Sequence, residues 1–232
     1  MAGVSRSMVA ALEAGSADAS LRTLDRIARS LDAELILDLR LPTVIGRADQ
    51  LDAAHARCVA AARRSLERHG YVCAVECEIL DGRLRGWIDL LAFDGVSGRL
   101  VVVEVKTELR DLGGLQRQVG WYVRAAPGVG RARGWAVSST VGVVVFLATD
   151  ANDSALVAHR DTIDAAFTLR GSAVRDLLAR RTVPVAPRGW GLVMIDPMRR
   201  GDRRWSATRL DGRRTAAPYR SYADFMGTVR AR

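Results

Sequence analysis

The chain has 232 residues, 49% hydrophobic and 26% charged, a globular composition with apolar material for one ordinary core and a small satellite domain. Its formal net charge of +9 is carried almost wholly by arginine, which makes nucleic acid a candidate partner, although arginine simply standing in for lysine explains the same number. No apolar run reaches the roughly 18–20 residues that span a bilayer, no basic-then-apolar leader opens the chain, and Cys58, Cys73 and Cys77 suit a reducing cytoplasm rather than a disulfide framework.

In chain order, "SRSMVAALEAG" predicts a helix capped by Ser5, with Val9 and Leu12 on one apolar face and Gly15 as its stop. Ser20 caps a second helix, where Leu21, Leu24, Ile27, Ala28 and Leu31 recur at helical spacing, and a short strand follows in "ELILDL". Residues 1–41 thus form a small helical segment, and 42–50 read as a linker. "LDAAHARCVAAARRSLERHG" predicts an amphipathic helix ended by Gly70, and "YVCAVECEIL" a strand. A β-hairpin in "GWIDLLAFDGVSGRLVVVEVKTEL", a helix in "GGLQRQVGWYVRAA" and a buried strand in "GVVVFLAT" complete an α-β-β-β-α-β order over residues 51–150. That order predicts an α/β core with helices packed on a mixed sheet.

Residues 151–232 read as a basic α+β extension. "DTIDAAFTLRGSAVRDLLARR" predicts helix in two pieces, and "WGLVMID" with "RWSATRL" a hairpin around "PMRRGDRR". The basic stretches "MRRGDRRW" and "DGRRTAAPYR" have aromatic neighbours and suit a nucleic-acid backbone, with solvated turns as the plainer reading. "GVGRARG" follows a helix rather than a strand, unlike a phosphate-binding loop. His69, Cys73 and Cys77 are spaced four apart, but two fall in a strand and no fourth ligand is near, which favours small buried residues over zinc.

The chemistry concentrates in the hairpin. A four-residue loop from Gly95 to Gly98 sets Asp94 opposite Arg99, and the same register sets Asp89 opposite Glu104 with Cβ atoms about 4.5–5.5 Å apart. Lys106, two residues beyond Glu104, points to the same face. Two carboxylates this close repel, and one keeps its proton unless a cation joins them. A hard divalent ion such as Mg²⁺ or Mn²⁺ takes oxygen ligands of this kind, and a lysine beside it serves the attacking water of phosphodiester hydrolysis. A salt-bridged hairpin end is the bland alternative, but the apolar flanks "WIDLL" and "VVVEVK" argue for a covered strand.

Asp89 followed by Glu104-Val105-Lys106 resembles the signature of the PD-(D/E)xK nuclease superfamily, whose restriction-endonuclease-like fold has an αβββαβ core. Gln118 and Tyr122 in "QVGWY" resemble the Gln-x-x-x-Tyr motif of its exonuclease and resolvase-like branch. The resemblance covers roughly residues 51–150. It implies Asp89 and Glu104 as metal ligands with the Val105 carbonyl as a third, Lys106 as the catalytic lysine, and Gln118 and Tyr122 as support for the site or the DNA backbone. Ile88 stands where a proline often precedes the aspartate. Many members also carry a glutamate on the first helix; this helix has Asp52, His55 and Glu67 instead, with Glu76 and Glu78 on the next strand.

The N-terminal segment resembles the back half of a Cro/repressor (XRE-type) helix-turn-helix, with "GVS" before the recognition helix, "LEAG" closing it and "TLDRIARSL" after it. By that resemblance Arg6, Ser7 and Ala11 face bases in the major groove and Ser5 holds a phosphate. The first two helices of such a domain do not precede Met1 in this sequence, so the start lies upstream or the segment is a remnant docked elsewhere. The combined expectation is a cytoplasmic, Mg²⁺-dependent endo- or exodeoxyribonuclease that binds DNA and works without a membrane, with a homodimer as an open possibility by analogy. The rivals are a non-enzymatic DNA-binding regulator with an inactive nuclease-like domain, and a structural partner in a toxin, restriction or repair system.

Overall fold

The Ser5 and Ser20 hydroxyls cap the first two helices, accepting the Met8 and Thr23 amides at 3.2 Å each. The computed structural model describes residues 4–33, 35, 43–45, 53–82, 84–179 and 189–231, with backbone alone at 43–45. Residues 1–41 form one compact unit and 42–232 a second. In the first, α1 (Arg6–Glu13) stops at Gly15, whose φ of 66° suits glycine, and α2 (Leu21–Ser30) follows. Neither helix contains a fully buried residue, and Met8, Leu21 and Leu31 stay exposed. Of the expected strand over 34–39, all but residue 35 lies outside the described residues.

The second unit is built on a seven-stranded mixed sheet ordered β1-β3-β4-β5-β6-β7, with β2 also paired to β3. Its strands are β1 (Thr43–Ile45), β2 (Val72–Asp81), β3 (Leu84–Asp94), β4 (Arg99–Lys106), β5 (Ser139–Leu147), β6 (Gly191–Ile195) and β7 (Trp205–Ser206). The helices are α3 (Ala53–Arg68), α4 (Leu112–Ala132), α5 (Asp150–Ala158), α6 (Arg160–Ala166), α7 (Gly171–Leu178) and α8 (Tyr222–Arg230). The order α3-β2-β3-β4-α4-β5 follows the expected α-β-β-β-α-β pattern, and the whole is an α/β fold.

α3 lays Ala54, Cys58, Ala61, Ala62 and Leu66 on one face of the sheet, over Val101, Val103, Val105 and Val143. The small residues let the helix approach closely. α4 covers the other face: Leu115 and Val119 meet Val144 and Phe146, while Trp121, Tyr122 and Ala126 meet Leu91, Phe93 and Val102. Gly142 keeps α4 close, because a Cβ there would lie 2.8 Å from Val123 and 2.9 Å from Val119.

Four expectations change. Residues 43–45, read as linker, form β1, a parallel partner for Leu84–Gly86 on the side of β3 that β4 leaves unpaired. The extension is no appendage: β6 joins β5 in parallel and β7 joins β6 antiparallel, so residues beyond 151 complete the sheet. The expected hairpin between "WGLVMID" and "RWSATRL" is this β6–β7 pair. α5 is an additional helix, and part of "GVGRARG" is helical because α4 continues through Pro127 to Ala132. Among the described residues, no helix is long and apolar enough to cross a membrane.

Candidate active site

The β3–β4 loop fixes the site's register. Asp94 faces Arg99, and pairing runs row by row to Leu90 opposite Val103. Asp94 closes the turn by accepting the Val96 amide at 3.1 Å and the Ser97 hydroxyl at 2.6 Å. Gly98 is required there: its φ is 68°, and a Cβ would lie 2.5 Å from the Ser138 hydroxyl. Continued by one row, this register sets Asp89 opposite Glu104 at the point where the β3–β4 ladder ends. β4 runs on beside β5 as far as Lys106 opposite Phe146.

The same row is irregular on its other side. In the β2–β3 ladder Val75 pairs with Leu90 and Cys77 with Ile88, but the intervening Glu76–Asp89 row is missing. Glu76 has φ of 48°, one of only two non-glycine residues with positive φ among those described. The strands change face across this row. Cys73 and Leu90 pack with α3, whereas Cys77 and Ile88 pack with α4, although simple alternation would keep each pair on one face. A local kink of this kind redirects the side chain at the irregular row, which here is Asp89.

Asp89 is redirected to a definite set of partners. Its Oδ2 accepts the Val105 amide at 2.7 Å, replacing the ladder bond lost as β4 departs. His55 of α3 brings Nε2 to 3.1 Å from the same oxygen, and both side chains are buried. Lys106 places Nζ 3.0 Å from Glu104 Oε1, confirming that residues 104 and 106 share a face. Neither Glu104 oxygen has an aligned hydrogen-bond donor, though both are fully buried. Glu104 is accordingly raised well above the ordinary carboxylate range, first by burial and then by the Asp89 charge, with Lys106 opposing. Contact between the two carboxyls becomes a hydrogen bond only while one keeps its proton.

Gln118 and Tyr122 stand one helical turn apart on α4, with Gln118 Nε2 donating to the Tyr122 hydroxyl at 2.9 Å. Both are buried, Tyr122 completely, so the tyrosine supports the carboxylates and does not reach a DNA backbone. Burial, then the Glu104 charge, pushes its phenol above the usual range. On the α3 side a cavity of about 220 Å³ reaches Asp89 between His55, Val59, Arg63, Val75 and Glu76.

The other candidates separate. Glu67 turns to Arg63 at 2.7 Å and Glu78 to Arg85, while Asp52 lies outside the described residues. His69 faces Asp202 at 2.9 Å, and Cys73 and Cys77 pack on opposite faces of the sheet, which removes the zinc reading. In the N-terminal unit Arg6 and Ser7 are exposed on α1, Ala11 is half-buried, and Ser5 is the cap.

With this geometry in hand, comparison with known proteins adds no assignment. No protein-family model matches the chain, and no curated protein sequence matches it.

One signal present in the sequence coincides with the site: Lys106 is the only lysine among 35 basic residues. Arginine serves everywhere else. At this position a compact ammonium that can lose its proton sits on a buried carboxylate, a task that a planar, permanently charged guanidinium does poorly.

As a metal site the donor set fits a hard cation: two buried carboxylates, one without hydrogen bonds, and an imidazole beside the other. Among the described residues no group of three or more His, Cys, Asp or Glu side chains is already arranged around one point. Lys106 and His55 occupy the carboxylates instead.

Proposed function

We propose that this chain is a divalent-metal-dependent nuclease of the PD-(D/E)xK type, hydrolysing phosphodiester bonds in DNA. The observation that carries the reading is the single lysine of the chain held 3.0 Å from a fully buried glutamate, opposite a buried aspartate at the end of a hairpin ladder. Asp89 and Glu104 would hold Mg²⁺ or Mn²⁺, with the Val105 carbonyl as a third ligand, and the ion would supply charge stabilisation to phosphate and leaving oxygen.

The chain's own groups account for the rest. Asp89 is held rigid by the Val105 amide, so the acid does not swing away when its charge is unbalanced. His55 packs its Nε2 3.1 Å from the same carboxylate on the helix side. Lys106, released from Glu104 when that carboxylate takes another partner, orients the attacking water and accepts or steadies its proton. Tyr122 and Gln118 hold the floor of the site. Arg6 and Ser7 on α1, with Ser5 at its N-terminus and Ala11 one turn further, would contact DNA from the N-terminal unit.

One observation favours a non-enzymatic DNA-binding regulator: His55 and Lys106 already stand 3.1 and 3.0 Å from the Asp89 and Glu104 carboxyls, where a cation would sit. Incubating the purified protein with supercoiled, linear and branched DNA, in Mg²⁺ or Mn²⁺ and in chelator, separates the two. Metal-dependent cleavage lost in Asp89→Ala and Lys106→Ala supports the nuclease. Cleavage that persists in both variants overturns the assigned site, and salt-sensitive binding without cleavage moves the reading to the regulator.

A further inference from the structure

Two basic stretches of the C-terminal region, "MRRGDRRW" and "DGRRTAAPYR", are separated in sequence but meet at one cavity. Its walls include Asp196, Arg199, Arg203 and Ser206 from the first region and Arg213 and Thr215 from the second, around about 160 Å³. Small-molecule pockets run to about 300–1,000 Å³, so this one admits a single small group and excludes a whole nucleotide.

Its charges are not balanced by its own walls. Asp196 is satisfied: its Oδ1 accepts the Tyr219 hydroxyl and the Met198 amide at 3.0 Å each, and Arg199 lies 3.3 Å from Oδ2. Arg213 is paired with the buried Asp153. Arg203 forms no ion pair or side-chain hydrogen bond with any described residue. Two donors are also left over, since the Ser206 hydroxyl and Arg213 Nε are buried without hydrogen-bond partners. A surplus guanidinium, an orphan hydroxyl and an orphan guanidinium N–H around one small space match a tetrahedral oxyanion, for which arginine and hydroxyl donors are the usual hosts.

The position is also informative. β4, β5 and β6 are parallel, so Lys106, Leu147 and Ile195 end at the same edge of the sheet, and Asp196 follows directly. Neighbouring strands lie about 4.8 Å apart, which puts the β6 backbone roughly 10 Å from that of β4. We infer that this cavity binds one phosphoryl group, supplied by a nucleic-acid strand crossing the carboxyl edge of the sheet beside Lys106. The choice of a strand as its source rests on the nuclease reading; the phosphoryl chemistry does not.

The test compares wild type with Arg203→Gln and Ser206→Ala, leaving Arg213 in place because it pairs Asp153. Inorganic phosphate is titrated against each protein by ³¹P resonance. A short single-stranded oligodeoxynucleotide is then titrated in chelator over a range of salt. Phosphate affinity should fall by about tenfold in Arg203→Gln, as expected for a lost charged hydrogen bond, with unfolding midpoints unchanged. Oligonucleotide affinity should fall in the same variant, and its salt slope should drop by about one. Phosphate binding that is absent, or equal in all three proteins, overturns the site. A loss of phosphate affinity with unchanged oligonucleotide binding keeps the oxyanion site but overturns the strand as its source. Arg203-dependent oligonucleotide binding without cleavage in Mg²⁺ or Mn²⁺ supports the site and counts against the nuclease reading alone.

Discussion

The Asp89 carboxylate accepts the Val105 amide at 2.7 Å, so a side chain of β3 stands in for a β3 backbone carbonyl as the acceptor for β4. The acid therefore has a structural role apart from any chemistry. Asp89→Ala leaves a buried amide without an acceptor and should cost about 1–3 kcal/mol. Asp89→Asn keeps an acceptor oxygen in place and should cost less, while losing any metal-dependent activity equally. Urea unfolding of both variants checks this; equal destabilisation would show that the amide bond contributes nothing.

Lys106 gives a sharper chemical test because it has no other lysine to share its role. Lys106→Arg preserves the charge beside Glu104 but supplies a group that does not deprotonate. DNA binding should be retained, and cleavage should fall by about 10²–10⁴-fold, the range of a lost general acid–base group. Cleavage in Lys106→Arg close to the wild-type rate would make the lysine a mere counter-charge.

How much of this was legible before the structure depends on whether local rules decide the feature. The loop Gly95–Gly98 was enough to carry the register to Asp89 opposite Glu104, because turn length sets register, but strict alternation holds only for Glu104 and Lys106 and fails at Asp89, where β3 changes face. His55 was named among the residues of its helix but not placed, since only the packing of α3 brings it to Asp89. The change of face at Glu76 was not legible, because a glutamate with positive φ leaves no compositional trace. α5 was hidden for another reason. Asn152 and Asp153 point inward, with Asn152 hydrogen-bonding the Thr107 and Leu147 carbonyls and Asp153 accepting the Arg209 amide, so the buried face of that helix is polar.

The raised Glu104 titration has a signed consequence for stability. A carboxyl whose folded pKa lies above its ordinary 4.5 contributes stability fully present below that value and lost as pH rises through the folded pKa. In chelator, the stability of wild type relative to Glu104→Gln should therefore fall as pH rises above about 4.5. A change of 1 kcal/mol moves the midpoint of a protein this size by about 2–4 °C, well within reach of thermal melts at stepped pH. Curves that stay parallel would mean that Glu104 titrates normally.

Cys73 is expected to be inert. Burial, followed by the Glu67 charge, pushes its thiol up to about 12 from 9.0, with Arg63 opposing. Thiolate is the reactive form, so at pH 8 its population falls roughly a thousandfold below that of an ordinary cysteine. Iodoacetamide labelling followed by peptide mass mapping should show Cys73 modified slowly in the native protein and readily in urea. Rapid native labelling would contradict the burial.

Glu76 offers the test that couples strain to function. A non-glycine residue at φ of 48° carries a steric cost of roughly 1–2 kcal/mol that glycine does not. Such strain persists where the surroundings enforce it, and sites of chemistry are where it collects. Glu76 lines the cavity that reaches Asp89 and His55, on the row where both strands change face. Glu76→Gly should therefore raise unfolding stability by up to about 1 kcal/mol, tempered by glycine's larger unfolded-state entropy, while lowering metal-dependent cleavage. Glu76→Ala keeps the strain and removes only the carboxylate, so it should lower cleavage without the gain in stability. If both variants cleave as wild type does, the kink only aims Asp89 and the Glu76 carboxylate has no part in the reaction. If Glu76→Gly also fails to stabilise, the positive φ carries no strain.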